Sequence, residues 1–145
     1  MLKIETGNEI FAKAFAQAVD DMSTLRLPIK STDHMQFVLA AGLPWFVALF
    51  GRDSLIISLQ TSIVHPEFAR GALLVLAEWQ ATERDDYRDA EPGKIHHELR
   101  RGELAHFKLI PHTPYYGTAD ATPLYLITLH TAWTCTGDVE PIASM

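Results

Sequence analysis

The 145-residue sequence contains one cysteine, Cys135, so no disulfide can form within the chain. Cys135 lies in an apolar helical pattern, which predicts a small, inert core residue. No apolar run approaches the roughly 20 residues that a membrane-spanning helix needs, and the first residues lack the layout of a signal peptide. We therefore expect a cytoplasmic protein with no membrane partner.

Basic residues are also scarce, with 12 Lys and Arg against 18 Asp and Glu and a net charge of −6. A phosphate backbone would meet repulsion, so no nucleic-acid partner is expected. Glycine-rich phosphate loops and the Gly-x-Ser-x-Gly motif are absent, and we expect no cofactor. We expect no metal either, because the second histidine of a zinc-protease helix that starts at His97-Glu98 would fall at Arg101.

Apolar residues recur at helical spacing in four segments that also carry start or stop signals. A chain of this length can bury roughly 70% of its unfolded surface, which is enough for one domain over residues 1–145. We therefore predict an all-α protein of about four helices. These are one behind the capping box Thr6-Gly-Asn-Glu9, one from about Arg52 to Val64, one from Pro66 to about Thr82, and one from Thr122-Pro123 to just before Gly137. The residues predicted to face the core are Leu55, Ile56, Leu59 and Ile63 in the second helix and Phe68, Ala69, Leu73, Leu76 and Trp79 in the third.

Two long connections separate these helices. Residues 25–50 are interrupted by prolines and glycine and predict an irregular connection with a short strand. Residues 84–120 predict an ordered functional loop with a hairpin around Lys94–Arg100. If successive helices alternate in direction, the second and fourth start at the same end of the molecule. Arg52-Asp53, the long loop and Asp120 should then converge on one opening.

Asp53 and Asp120 each allow two interpretations. Either residue could simply cap a helix. A carboxylate beside the guanidinium of Arg52 could instead hold adjacent hydroxyls of a sugar, with Trp45, Phe46 and Phe50 offering flat faces or only filling the core. Asp120 could be a general acid, although a helix N-terminus stabilises the charged carboxylate and opposes that role.

The charge-mixed segment "RDDYRDAEPGKIHHELRRGE" has the composition of a solvated surface. Its expected place at the opening favours a second interpretation, in which Lys94, Glu98 and Arg100 face a polyhydroxylated ligand. The composition of the segment leaves both interpretations open.

Three motifs, "GLPWFVALFGRDSLI", "DAEPGKIHHELRRGE" and "PHTPYYGTADATPLYL", occur in an order that resembles the C-terminal domain of glycogen debranching enzymes of the amylo-α-1,6-glucosidase type. The resemblance covers about Gly42 to Asp138. It implies an (α/α)₆ toroid with a funnel-shaped site, and a glycoside hydrolase that cleaves α-1,6-glucosidic bonds of glycogen or limit dextrin by inversion, with two carboxylates.

The resemblance also implies roles for individual residues. Asp120 matches the general acid, and Arg52-Asp53 resembles the pair with which related glucoamylases grip the terminal glucose. The residues assigned to substrate binding are Arg52, Asp53, Trp45, Lys94, Glu98, Arg100 and Tyr116.

A toroid needs about twelve helices, whereas this chain supplies about four, and the second carboxylate of the family would lie beyond Met145. We therefore expect an N-terminal portion of the domain, inactive alone, whose exposed helix faces favour self-association. Glu98 or Glu91 could stand in for the base, but nothing specific supports either. The alternatives are a non-catalytic α-glucan-binding remnant, or another toroid enzyme such as a trehalase, a phosphorylase or an epimerase.

Overall fold

The computed structural model of the chain describes residues 4–31, 35–137, 139 and 143; the predicted domain boundaries, residue 1 and Met145, lie outside these residues. The described part is rich in helix, as predicted, but it also contains two small antiparallel sheets, so it is not purely helical. Its elements are α1 Glu9–Thr24, β1 Arg26–Lys30, β2 Met35–Leu39, β3 Leu49–Phe50, α2 Gly51–Thr61, α3 Pro66–Glu78, β4 Glu98–Leu99, α4 Glu103–His106 and α5 Ala121–Thr136. No helix among these residues combines the length and the apolar content needed to cross a membrane.

Helix α1 begins at Glu9, and its N-cap is Asn8 rather than the predicted Thr6. The Asn8 side chain accepts hydrogen bonds from the backbone N–H groups of Ile10 and Phe11, which satisfies two donors of the first turn. None of the residues of α1 is buried, and Ile10 is 81% exposed. Helix α1 therefore adds little to the core that positions the site.

The segment predicted to be a connection with a short strand contains two paired strands, β1 and β2, with Arg26 opposite Leu39 and Lys30 opposite Met35. Its buried residues include Ile29 and Val38, which join the main core. Helix α3 packs against β2. Gly71 permits this approach, because a Cβ atom there would collide with the backbone oxygen of Phe37.

The main core lies between α2, α3 and α5, which pack against one another. Phe68, Ala69, Leu73 and Leu76 of α3 are buried as predicted, and Trp79 is partly buried. The prediction for α2 is only partly right: Leu55 is buried, but Ile56 is 38% and Ile63 85% exposed. The buried side of α2 instead carries small residues, Gly51, Ser54 and Ser58, which let the neighbouring helices approach closely.

Helix α5 ends as predicted, at Gly137 in a left-handed conformation with φ of 72°. The helix contains no Asp, Glu, Lys or Arg, and Leu126, Ile127 and Trp133 are exposed. Cys135 is exposed too, so its prediction as a core residue is wrong. The pattern of α5 is apolar all round, and periodicity could not show which side faces the core.

The predicted hairpin within Lys94–Arg100 is also wrong, because this segment pairs with a distant strand. Strand β4 pairs with β3, with Phe50 opposite Glu98 and Leu49 opposite Leu99, and Glu98 also bridges to Tyr115. The long loop is thereby fixed against the residues that immediately precede α2. This pairing positions the candidate site.

Candidate functional site

The starts of α2 and α5 meet. The Nη1 atom of Arg52, in the first turn of α2, donates to Oδ2 of Asp120 at 3.2 Å, across 68 residues of sequence. This contact confirms the predicted convergence of the two helix starts. Their meeting also brings two of the predicted site residues together.

Neither candidate carboxylate caps its helix. Asp120 occupies the N-cap position of α5, but its Oδ1 atom accepts from the Thr118 hydroxyl at 2.6 Å and its side chain makes no capping bond. In α2 the N-cap position is Phe50, and Asp53 lies in the first turn. Within the described residues, the Asp53 carboxylate makes no hydrogen bond or ion pair. Neither side chain therefore forms a capping hydrogen bond. Asp120 has internal partners in Thr118 and Arg52, whereas the Asp53 carboxylate is available to a ligand.

The surroundings of Asp120 favour its charged form. The hydrogen bond from Thr118 is the largest influence and lowers the pKa of Asp120; desolvation opposes it, and the nearby Arg52 lowers the pKa again. The side chains of Arg52 and Asp120 are 47% and 43% exposed. An ion pair this open to water adds little to stability, so a ligand can displace it at small cost.

A pocket of about 320 Å³ opens beside this pair. It is lined by Ala41, Phe46, Phe50, Arg52, Asp53 and His97. The Phe46 and Phe50 rings meet edge to face, with centroids 5.8 Å apart. An apolar aromatic wall that faces a guanidinium and an unpaired carboxylate suits a small polyhydroxylated ring, which offers both C–H faces and hydroxyl groups.

Gly51 lies where the start of α2 contacts the long loop. Its N–H donates to the backbone oxygen of His97 at 2.9 Å, and a Cβ atom at this position would collide with the backbone oxygen of His96. Only glycine allows the start of α2 to lie this close to the long loop. The close contact thus explains why the first residue of Gly51-Arg52-Asp53 is a glycine.

Five of the seven predicted substrate contacts do not line this pocket, and neither does the predicted acid Asp120. Trp45 is 75% exposed, and Lys94 donates from Nζ to the backbone oxygen of Asp89 at 3.0 Å. Tyr116 is buried, and its hydroxyl donates to the backbone oxygen of Trp79 at 2.7 Å. The hydroxyl of Tyr116 is thus used in the interior, which fits a core residue better than a ligand contact.

Glu98 and Arg100 line a second pocket, of about 550 Å³. Their side chains form an ion pair, and His112 Nε2 lies 3.7 Å from the other carboxylate oxygen of Glu98. Arg100 also donates to the backbone oxygen of Trp45 at 2.9 Å, and its guanidinium lies over the Phe50 ring at 5.6 Å. Arg100 therefore connects Glu98 to the aromatic segment, residues 45–50, which carries Trp45, Phe46 and Phe50.

The sequence interpretation missed His97, which lines the first pocket beside Asp53. Sequence spacing argued against a metal site at the two adjacent histidines and left them as loop contacts or as acid and base of the alternative epimerase. Their surroundings differ, because His96 is fully buried, and burial lowers its pKa to about 3. Strand alternation does not separate them, because Ile95 and His96 are both buried. Among the described residues, no group of three or more His, Cys, Asp and Glu side chains could hold a metal ion.

No protein-family model matches the chain, and no curated protein is significantly similar to it. The resemblance to glycogen debranching enzymes thus depends on the three motifs alone. What it implies for activity is a proposal.

Proposed function

We propose that this chain belongs to a glycoside hydrolase that debranches α-glucans, and that the Arg52–Asp53 pocket binds the terminal glucose. The observation that carries the proposal is the contact between Arg52 and Asp120, which places a candidate acid beside a candidate sugar grip. The motif resemblance assigns the same residues to these roles. The roles of acid and sugar contact come from the motif resemblance, and the contact supports them by bringing the two groups within hydrogen-bond distance.

Each part of the pocket has a task in sugar binding. The Arg52 guanidinium donates to hydroxyl oxygens, and the Asp53 carboxylate accepts from hydroxyl hydrogens. The Phe46 and Phe50 rings line the pocket beside these groups and contact the apolar faces of the pyranose. Because Asp53 has no partner within the described residues, no internal hydrogen bond of its own must break on binding.

Asp120 would protonate the glucosidic oxygen as it leaves. The Thr118 bond and Arg52 lower its pKa in the free protein, which opposes this role. Bound sugar changes the balance, because its hydroxyls become the acceptors for Arg52 and the site loses water. Both changes raise the pKa of Asp120 toward the range that a general acid needs.

Inversion also requires a base that activates a water on the opposite face of the sugar, with the two carboxyl groups about 6.5–9.5 Å apart. The resemblance assigns no described residue to this base. The proposed architecture is part of an (α/α)₆ toroid, in which α2, α3 and α5 contribute to the helical ring. The apolar exposed side of α5 supports this, since such a surface suits packing against further helices or a second copy of the chain.

A test that bypasses the base uses azide as the nucleophile. Azide attacks C1 of an α-1,6-linked glucoside, the C1–oxygen bond breaks, and Asp120 donates its proton to the leaving oxygen, which gives β-glucosyl azide. We expect Asp120→Asn to slow this reaction at least about 100-fold. The variant should keep its activity on α-glucosyl fluoride, because fluoride leaves without a general acid. Equal loss on both substrates would contradict an acid role.

A second candidate function is a non-catalytic α-glucan-binding module. The lowered pKa of Asp120 favours it, because a carboxylate that stays charged suits hydrogen bonding to hydroxyls. Calorimetric titration with isomaltose separates the candidates when combined with the azide assay. Saturable binding without any turnover supports the binding module, and absence of binding contradicts both.

A further inference from the structure

The imidazole of His97 is held in a fixed orientation at the pocket wall. Its backbone N–H donates to the backbone oxygen of Tyr115 at 2.7 Å, and its backbone oxygen accepts from the backbone N–H of Gly51. The ring meets Phe50 and Tyr115 edge to face, with centroids 5.9 Å and 6.4 Å away. A ring held on both sides by aromatics presents its nitrogens in defined directions.

The two ring nitrogens of His97 have different surroundings. Nδ1 is buried and has no hydrogen-bond partner. Nε2 makes no hydrogen bond within the described residues either, but it is not buried. Since His97 lines the pocket, Nε2 is the nitrogen that a ligand reaches. An unpaired buried N–H is rarer than an unpaired buried acceptor, which favours the neutral tautomer with its proton on Nε2.

We infer that His97 is a substrate-binding residue that donates its Nε2–H to a hydroxyl oxygen of the bound sugar. This inference rests on the proposed function and adds a residue to it. Asp53, which lines the same pocket, can only accept hydrogen bonds when ionised. A sugar hydroxyl both donates and accepts, so Asp53 and His97 provide the complementary pair that adjacent hydroxyls need.

Replacing His97 by glutamine or by asparagine distinguishes a role of Nε2 from a role of the ring as a whole. Glutamine places an amide N–H near the position of Nε2, whereas asparagine places it near the position of Nδ1. We expect His97→Asn to raise the dissociation constant for isomaltose about 10-fold, as the loss of one good hydrogen bond would. His97→Gln should stay within about 3-fold of the wild-type chain. His106→Asn, on exposed α4, is the matched control and should bind normally.

Each outcome decides a specific point. If both variants bind like the wild type, or lose affinity equally while remaining folded, the inference fails and the proposed function stands. If the wild-type chain does not bind isomaltose, the proposed function fails and takes the inference with it. Nitrogen NMR of the wild-type chain gives an answer even if the variants do not fold: the His97 ring should be the Nε2–H tautomer, and its Nε2 signal should shift on saturation with isomaltose. A protonated Nδ1 or an unmoved Nε2 signal would overturn the inference.

Discussion

Two arginine–carboxylate pairs lie near the start of α2, and they differ in exposure. In the pair Arg100–Glu98, the carboxylate side chain is only 8% exposed and the arginine 33%. In the pair Arg52–Asp120, the carboxylate side chain is 43% exposed and the arginine side chain 47%. A buried pair must stay formed to avoid an uncompensated charge, whereas an exposed pair can open for a ligand. The same two chemical groups therefore perform different tasks.

The buried pair determines the shape of the aromatic segment. Arg100 connects Glu98 to the Trp45 carbonyl oxygen and to the Phe50 ring, and Phe50 is part of the first pocket. Glu98 and Arg100 were predicted to contact sugar. Their mutual bond favours a positioning role, in which they hold the pocket wall without touching the ligand.

The largest expected effect comes from Gly51→Ala, which disturbs both pairs together. The new methyl group would collide with the His96 backbone oxygen and push the segment that carries Glu98 away from the helix that carries Arg52. We expect the free energy of unfolding in urea to fall by about 3 kcal/mol. Gly7→Ala is the control, since no atom lies within 4 Å of a Cβ there. Equal effects of the two substitutions would contradict the close packing.

Arg100→Ala breaks only the buried pair and leaves the Glu98 carboxylate without its main partner. We expect a loss of about 2 kcal/mol, somewhat less than for a fully buried pair because Arg100 is partly exposed. Arg101→Ala, at an exposed neighbouring position, should change stability by less than about 0.5 kcal/mol. Urea titration of the two variants measures the difference, and similar values would mean that the buried pair has no structural role.

Arg52→Ala breaks only the exposed pair. Its effect on the free energy of unfolding should be within about 0.5 kcal/mol, like that of Arg84→Ala in another exposed pair. Affinity for isomaltose should nevertheless fall at least about 10-fold, because the guanidinium fork is lost. A variant that loses stability but keeps its affinity would reverse the assignment of the two pairs.

The smallest expected effect concerns the pKa of Asp120. Since Thr118 and Arg52 both lower the pKa of Asp120, Thr118→Val and Arg52→Ala should each raise it. A lowered folded-state pKa stabilises the fold above the unfolded-state pKa, and this contribution is lost as the pH falls through the folded-state value. Thr118→Val should therefore weaken the acid dependence of stability. Carbon NMR titration of the carboxyl group measures the pKa of Asp120 in both variants, and an unchanged pKa in Thr118→Val would refute the assigned cause.

The sequence predicted the helices of the core well, because their apolar periodicity and end signals are local. Helix α3 and the Gly137 stop of α5 are examples. Local patterns failed where pairing partners are distant: β4 pairs with β3, which no spacing within the loop indicates. They failed for Cys135 as well, because α5 is apolar on its exposed side.

The candidate site was predicted only in part, because some of its geometry depends on strand pairing. The convergence of Arg52 and Asp120 was predicted from helix order and from the assumption that successive helices alternate in direction, and the contact between them agrees with it. The division of the remaining residues between two pockets depends on the β3–β4 register, which sequence did not show. Glu98 and Arg100 were therefore grouped with Arg52, and His97 was left out.

The most direct test of the central claim is a nitrogen–proton NMR titration of the wild-type chain with isomaltose, with cellobiose as the β-linked control. The claim predicts saturable shifts at the backbone amides of Gly51, Arg52, Asp53 and Asp120, and weaker or no shifts with cellobiose. Saturable shifts confined to other parts of the chain, or none at millimolar sugar, would contradict a glucose site at the start of α2.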